Sequence, residues 1–104
     1  MRDLWQALED NGVEVALAGH DHLYERLAPL NADGVPDPRG LRSFVVGTGG
    51  RSQYTFATPV VGSEVRDGSG YGVIKMTLES DRYTWQFLPA AGTTFTDSGS
   101  EVCH

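Results

Sequence analysis

One cysteine, Cys103, stands in the 104 residues, next to the last position. An odd cysteine has either no disulfide partner or one elsewhere, so a disulfide framework does not hold this chain together. Long apolar runs are also missing. Stretches such as Val15-Ala16-Leu17-Ala18 are far short of the roughly 20 residues that a bilayer-spanning helix needs. Basic residues are few: eight Lys and Arg, scattered along the chain without a patch, which removes the electrostatic footprint of a nucleic-acid binder. Met1-Arg2-Asp3 leads straight into an amphipathic pattern rather than a secretory signal, an observation that bears on destination only if Met1 begins the gene product. No internal repeat and no low-complexity segment appears.

What is present is ordinary globular material. Hydrophobic residues make up 39% and charged residues 21%, a balance unlike that of a disordered tail. The length suits one small domain, which buries roughly two thirds of its unfolded surface and has little margin if an element is missing. The net charge of −6 comes from acids spread along the chain, which reads as a solvated surface.

Periodicity sketches the order of elements. Leu4, Trp5 and Leu8 fall on one face at helical spacing, which predicts a helix over 3–11, closed by Asn11-Gly12. Residues 13–18 read as a strand, apolar on both sides from Val15 onward, the pattern of a strand covered on two faces. Gly19 and a polar cluster follow it. Three prolines and the Asp33-Gly34 turn signal make 28–41 a long loop. Residues 43–46 read as a second buried strand that ends in Gly47-Thr48-Gly49-Gly50, and 51–69 read as irregular. Ile74, Met76 and Leu78, then Tyr83, Trp85 and Phe87, alternate with polar residues across Ser80-Asp81-Arg82. This is a β-hairpin near 71–89 with one strongly apolar face. The Gly-, Thr- and Ser-rich tail from Ala90 carries no such pattern.

The residues that can carry chemistry are concentrated at His20 and His22, two of the three histidines. A bare His-x-His belongs as readily to an exposed loop as to a site. Here the pair follows a buried-type strand, and sites of layered α/β folds are placed just past the carboxyl ends of such strands. Neutral imidazole is the commonest side-chain ligand for transition metals. One intervening residue lets the two rings address two neighbouring ions, or one ion and the substrate. Gly19 permits close approach of backbone to a site. Gly47-Thr48-Gly49-Gly50 lacks the Walker spacing and a following lysine, so it reads as a turn rather than a phosphate cradle. His104 reads as a disordered terminal residue.

The block Gly19-His20-Asp21-His22-Leu23-Tyr24-Glu25-Arg26 resembles the final signature of the calcineurin-like metallophosphoesterases, and its Tyr-Glu-Arg ending resembles the purple acid phosphatase-like branch. The helix and strand before it, and Phe44-Val45-Val46-Gly47-Thr48-Gly49-Gly50 after it, fit the same family. Thr94-Phe95-Thr96-Asp97-Ser98-Gly99-Ser100 and Cys103-His104 resemble the C-terminus of some secreted bacterial members. The resemblance implies an α/β (α+β) fold in which residues 1–104 form the C-terminal portion of a layered αββα sandwich. It implies that His20 is a ligand of one metal and His22 of another, in a pair of divalent or trivalent ions of the Fe, Zn or Mn class. Such a pair hydrolyses phosphate esters. Asp21 and Tyr24 are then candidates for orienting a ligand or lining the cleft, with Asp21 read as solvated and Tyr24 as packing, and Glu25 and Arg26 as an ion pair or loop anchors. A parent protein that is secreted or extracytoplasmic is implied as well, with Cys103 bonded to a cysteine outside this chain.

Three further blocks of the family and a further histidine are not found: Asp-x-His, Gly-Asp, and Gly-Asn-His followed by an acid. Two imidazoles do not complete a dinuclear centre, which takes about four ligands per ion. The isolated chain is therefore expected to be inactive, with the N-terminal part of the same enzyme and a phosphate ester as its partners. The strands at 13–18 and 43–46 are expected to lack neighbours and to favour self-association through an exposed sheet. The alternative is a non-catalytic β-rich accessory or interaction module that binds through the hairpin face around Trp85.

Overall fold

A computed structural model of the chain describes residues 2–19, 23–49, 61–68 and 70–104. Among these described residues are one helix, α1 (Arg2–Asp10), and seven strands: β1 (Val15–Ala18), β2 (Tyr24–Leu27), β3 (Arg42–Val46), β4 (Ser63–Asp67), β5 (Gly72–Leu78), β6 (Arg82–Pro89) and β7 (Ser98–Val102). One helix ahead of mostly β structure is the α+β arrangement expected from the periodicity.

Helix α1 ends as its sequence dictates. Gly12 takes φ +71°, a left-handed conformation that favours glycine, and Val13 N–H reaches back to the Leu8 carbonyl at 3.1 Å. No residue of α1 is buried, although Trp5 donates its indole N–H to Leu30 O at 3.2 Å and so leans on the long loop. That loop is itself organised. Leu30 and Leu41 exchange two backbone hydrogen bonds of 2.9 Å, and Gly34 takes φ +76° at the predicted turn.

The strands form two sheets. The first has the order β1-β3-β2-β4, with β1 parallel to β3 and the other pairs antiparallel; the second is the antiparallel sheet β5-β6-β7. The predicted hairpin is β5–β6, with Met76 opposite Trp85 and Ile74 opposite Phe87. The core is aromatic. Tyr24 and Phe44 from the first sheet meet Tyr83, Trp85 and Phe87 from the second, with Phe44 edge-on to Trp85 at 5.4 Å between ring centres. Trp85 is therefore an interior residue, with Phe44, Arg26 and Arg42 of the first sheet packed against its ring.

Two expectations are corrected. First, β1 is not covered on two sides: it is the outermost strand of its sheet, Val15 and Ala16 are half-buried, and Leu17 is 57% exposed. The apolar run is long enough to be a central strand, yet no described element packs beyond it. Second, 51–69 is not wholly irregular, since β4 pairs with β2 at 63–67; residues 50–60 and 69 lie outside the described residues. The tail from Ala90, which carries no alternation in the sequence, contains a strand. β7 pairs with β6 from Gln86 to Arg82, and its Gly99 sits so close to Trp85 that a Cβ there would come 2.5 Å from Cζ2. Glycine is required at that approach.

The two sheets are tied at the end of β3. Thr48 is fully buried, donates its hydroxyl to Gly72 O at 2.9 Å and accepts the Gly72 N–H at 3.0 Å. Thr48, just after β3, is thus hydrogen-bonded to the first residue of β5.

Candidate functional site

His20, Asp21 and His22 lie outside the described residues, and their flanks are what the structure defines. Gly19 continues from β1 and lies beside the β3 carboxyl end, where a Cβ on Gly19 would come 3.6 Å from Val46 O. Leu23 is buried and accepts a 2.9 Å hydrogen bond from Gly47 N–H. Both flanks therefore meet β3 at Val46-Gly47. The parallel pair β1/β3 opens at this end, as the buried-strand pattern followed by glycine suggests. A depression of about 450 Å³ adjoins it, lined by Leu17, Ala18, Gly19, Val46 and Gly49 with the start of β5. A second depression, of about 430 Å³, lies between α1 and the long loop beside Trp5 and Leu30 and includes neither flank.

Immediately after this segment the chain turns inward. Tyr24 is fully buried, its ring 5.0 Å from Phe87 and 5.4 Å from Phe95 between centres. Its hydroxyl donates to Asp97 Oδ2 at 2.6 Å. Arg26, two residues on and so on the same face of β2, donates Nε to the same oxygen at 2.8 Å and Nη2 to Asp97 Oδ1 at 3.2 Å. This is a forked arginine–carboxylate pair, geometrically specific as well as strong. Arg26 also pairs through Nη1 with Glu64, which accepts from Arg42 Nη1 at 2.6 Å. Both guanidinium carbons stand over the Trp85 ring, 5.1 and 4.9 Å from its centre.

Electrostatics follow from this packing. Burial pushes the Tyr24 hydroxyl far above its usual value, and its bond to the Asp97 carboxylate adds to the effect. Burial opposes ionisation of Asp97. The hydrogen bonds from Arg26 and Tyr24, with the charge of Arg26, outweigh it and hold the carboxyl below its usual range. Arg26 is likewise raised despite its burial, through Asp97 first and Glu64 next. Tyr24 and Asp97 are therefore a neutral hydroxyl and a fixed carboxylate, built to hold rather than to exchange protons. Trp85 Nε1 is buried without a hydrogen-bond partner, yet it stands near enough to help lower Asp97.

The third histidine is ordered and elsewhere. His104 donates its backbone N–H to Glu14 Oε1 at 2.9 Å, and its Nε2 stands 3.0 Å from Gly40 O and 3.3 Å from Glu14 Oε2. This overturns its reading as a disordered end: two acceptors hold it. Glu14 precedes β1, and Gly40 precedes β3, so His104 is at the amino ends of the strands whose carboxyl ends carry Gly19 and Gly47. Cys103 is a half-buried free thiol packed against the aromatic core. Glu25 is half-buried on β2, opposite Val45 on one side and Arg66 on the other.

Among the described residues no group of three or more His, Cys, Asp or Glu side chains gathers in a way that could hold a metal ion. No described helix is long and apolar enough to cross a membrane. Sequence reasoning assigned roles to Tyr24 and Arg26 but missed Asp97, Glu64 and Arg42. Asp97 lies 71 positions from Arg26 on another sheet connection, and no local pattern announces that pairing. No protein-family model, curated protein or solved structure matches the chain.

Proposed function

We propose that this chain is the segment of a dinuclear-metal phosphoesterase, of the calcineurin-like class, that supplies the last two histidine ligands, His20 and His22. The observation that carries the reading is the placement of their flanks. Gly19 and Leu23 both meet the carboxyl end of β3, beside the parallel strand β1, where a layered α/β fold collects its ligands. The Gly19–Arg26 block supplies the donor chemistry, two neutral imidazoles one residue apart.

In this reading the first sheet is one layer of an αββα sandwich, and β1 is an outer strand whose second edge faces the rest of the enzyme. His20 and His22 would hold one ion each, of the Fe, Zn or Mn class. The ion pair supplies a water-derived nucleophile and charge neutralisation for in-line displacement at phosphorus. The chain's own contribution is two imidazole nitrogens, carried between flanks, Gly19 and Leu23, that both lie at the end of β3. Gly19 leaves room beside Val46 O, and Gly47 N–H fixes Leu23. Remaining ligands come from the N-terminal part of the same enzyme, so the isolated chain is inactive.

The test uses the enzyme that contains this chain. The His20→Ala and His22→Ala proteins are expected to lose bound metal, measured by elemental analysis, together with nearly all hydrolysis of p-nitrophenyl phosphate. Full metal content and an unchanged rate in both would overturn the assignment.

A further inference from the structure

We propose that the free edge of β1 is a self-association surface, on which β1 of a second copy of this chain pairs antiparallel about a two-fold axis. The two outer strands of the first sheet are built differently. β4 carries Glu64, Arg66 and Asp67, and its pairing with β2 is interrupted by a register shift. Charges and bulges are the devices that keep an edge strand from pairing with another chain. β7, an outer strand of the second sheet, is polar as well, with the sequence Ser-Gly-Ser-Glu-Val. β1 has neither device. It reads Val15-Ala16-Leu17-Ala18, in unbroken register with β3, and among the described residues no strand pairs with its other edge. An edge without charge suits a second copy of itself rather than an acidic or basic partner. The pairing is independent of whether the two histidines are ligands; where the rest of an enzyme supplies a strand to β1, that strand takes the place of the second copy.

The backbone sets the register. Arg42 N–H donates to Glu14 O at 3.0 Å, so Glu14 turns its carbonyl toward β3. Alternation along the strand then directs the N–H and C=O of Val15 and Leu17 to the free edge. Opposed residues of an antiparallel pair exchange both of their backbone hydrogen bonds. Val15 therefore pairs with Leu17 of the second copy, Leu17 with its Val15, and the axis passes between the two Ala16 residues. Glu14 then stands opposite Ala18 of the second copy, so no like charges oppose each other. Leu17 supplies the apolar gain. It shares the face of Val15, which packs against the aromatic core. It is nevertheless 57% exposed, because the interior layer ends at this edge. The depression of about 450 Å³ that Leu17 lines is walled on its other side by Gly72, Val73 and Ile74 of β5, an outer strand of the second sheet. In the pair, Val15 and Leu17 of both copies form one apolar row, and the interior layer runs from one copy into the next. Such a surface is self-complementary, as a two-fold interface requires.

Sedimentation equilibrium of the 104-residue chain, from micromolar to millimolar concentration, is expected to show a reversible monomer–dimer equilibrium. Far-UV circular dichroism verifies the fold of each variant. Leu17→Lys puts a charge from each copy into the shared row and is expected to raise the dissociation constant by about tenfold or more. Val102→Lys alters an exposed valine on β7, away from this edge, and is expected to leave the constant unchanged. A monomer at every concentration overturns the proposal. So does a folded Leu17→Lys chain that associates like wild type, or a loss in Val102→Lys as large as in Leu17→Lys. If Leu17→Lys does not fold, cross-linking decides, in a Cys103→Ser background that removes the native thiol. Ala16→Cys is expected to give a disulfide-linked dimer on non-reducing electrophoresis, because directly opposed Cβ atoms of such a pair are about 4.5–5.5 Å apart. Ala18→Cys, opposite Glu14 of the second copy, is expected to stay monomeric. Linkage at position 18 as ready as at position 16 overturns the proposal.

Discussion

The Tyr24 hydroxyl and the Asp97 carboxylate are 2.6 Å apart across a separation of 73 positions in the chain. The bond joins the strand that leaves the histidine segment to the segment that returns along β6. It converts a Ser-, Gly- and Thr-rich tail into part of the fold's frame. It also makes the fold sensitive to acid, in a direction that the packing sets.

Asp97 is held below its usual carboxylate range, so the stability it contributes is present above the unfolded value of 3.8 and lost as pH falls through the lower folded value. The groups facing it are Tyr24 and Arg26 of β2 and Trp85 of β6, with Glu64 of β4 behind Arg26. Urea unfolding of wild type and Asp97→Asn at pH 7 and pH 3 is expected to show a stability gap at pH 7 that shrinks at pH 3. An equal gap at both pH values would contradict the assignment.

The aromatic core sets a second expectation. Phe44→Ala removes a fully buried ring that packs on Trp85 and is expected to cost about 3–5 kcal/mol. A domain with a total of about 5–15 kcal/mol is left near its unfolding threshold by such a loss. Leu78→Ala, at a side chain 76% exposed, is expected to stay within about 0.5 kcal/mol of wild type. Paired denaturation curves decide; similar midpoints for the two variants would mean that the core is elsewhere.

Gly99 offers a sharper probe of how β7 meets the core. A methyl at Gly99 would stand 2.5 Å from Trp85 Cζ2 and 2.9 Å from Cε2. The ring cannot retreat easily, because Phe44 packs on it and both arginines stand over it. Gly99→Ala is therefore expected to destabilise the chain by about 1–3 kcal/mol and to shift tryptophan fluorescence. A midpoint equal to wild type would show that β7 does not approach the ring.

Period-two alternation made the hairpin legible, because Tyr83, Trp85 and Phe87 alternate with polar residues and face a single buried side. The helix stop was legible for a similar reason, since Gly12 needs its positive φ locally. Strands β2, β4 and β7 were not. Tyr-Glu-Arg-Leu and Ser-Glu-Val-Arg-Asp bring charged side chains into the sheets, where Arg26 is satisfied by Asp97 and Glu64. Ser-Gly-Ser-Glu-Val carries a glycine where most strands carry bulk, and only the nearness of Trp85 explains it.

By itself the sequence determined the local elements and the chemistry on offer: a capped helix, an apolar hairpin face, and two imidazoles spaced one residue apart after a glycine. These depend on dihedral preferences, periodicity and side-chain type, all properties of near neighbours. Tertiary structure alone decided that β1 is an outer strand, that Trp85 is interior, that His104 lies at the opposite end of the sheet from Gly19, and that Asp97 anchors Tyr24. Each depends on contacts between residues far apart in the chain, and a carboxylate's partners are chosen by the packing of sheets rather than by the residues beside it.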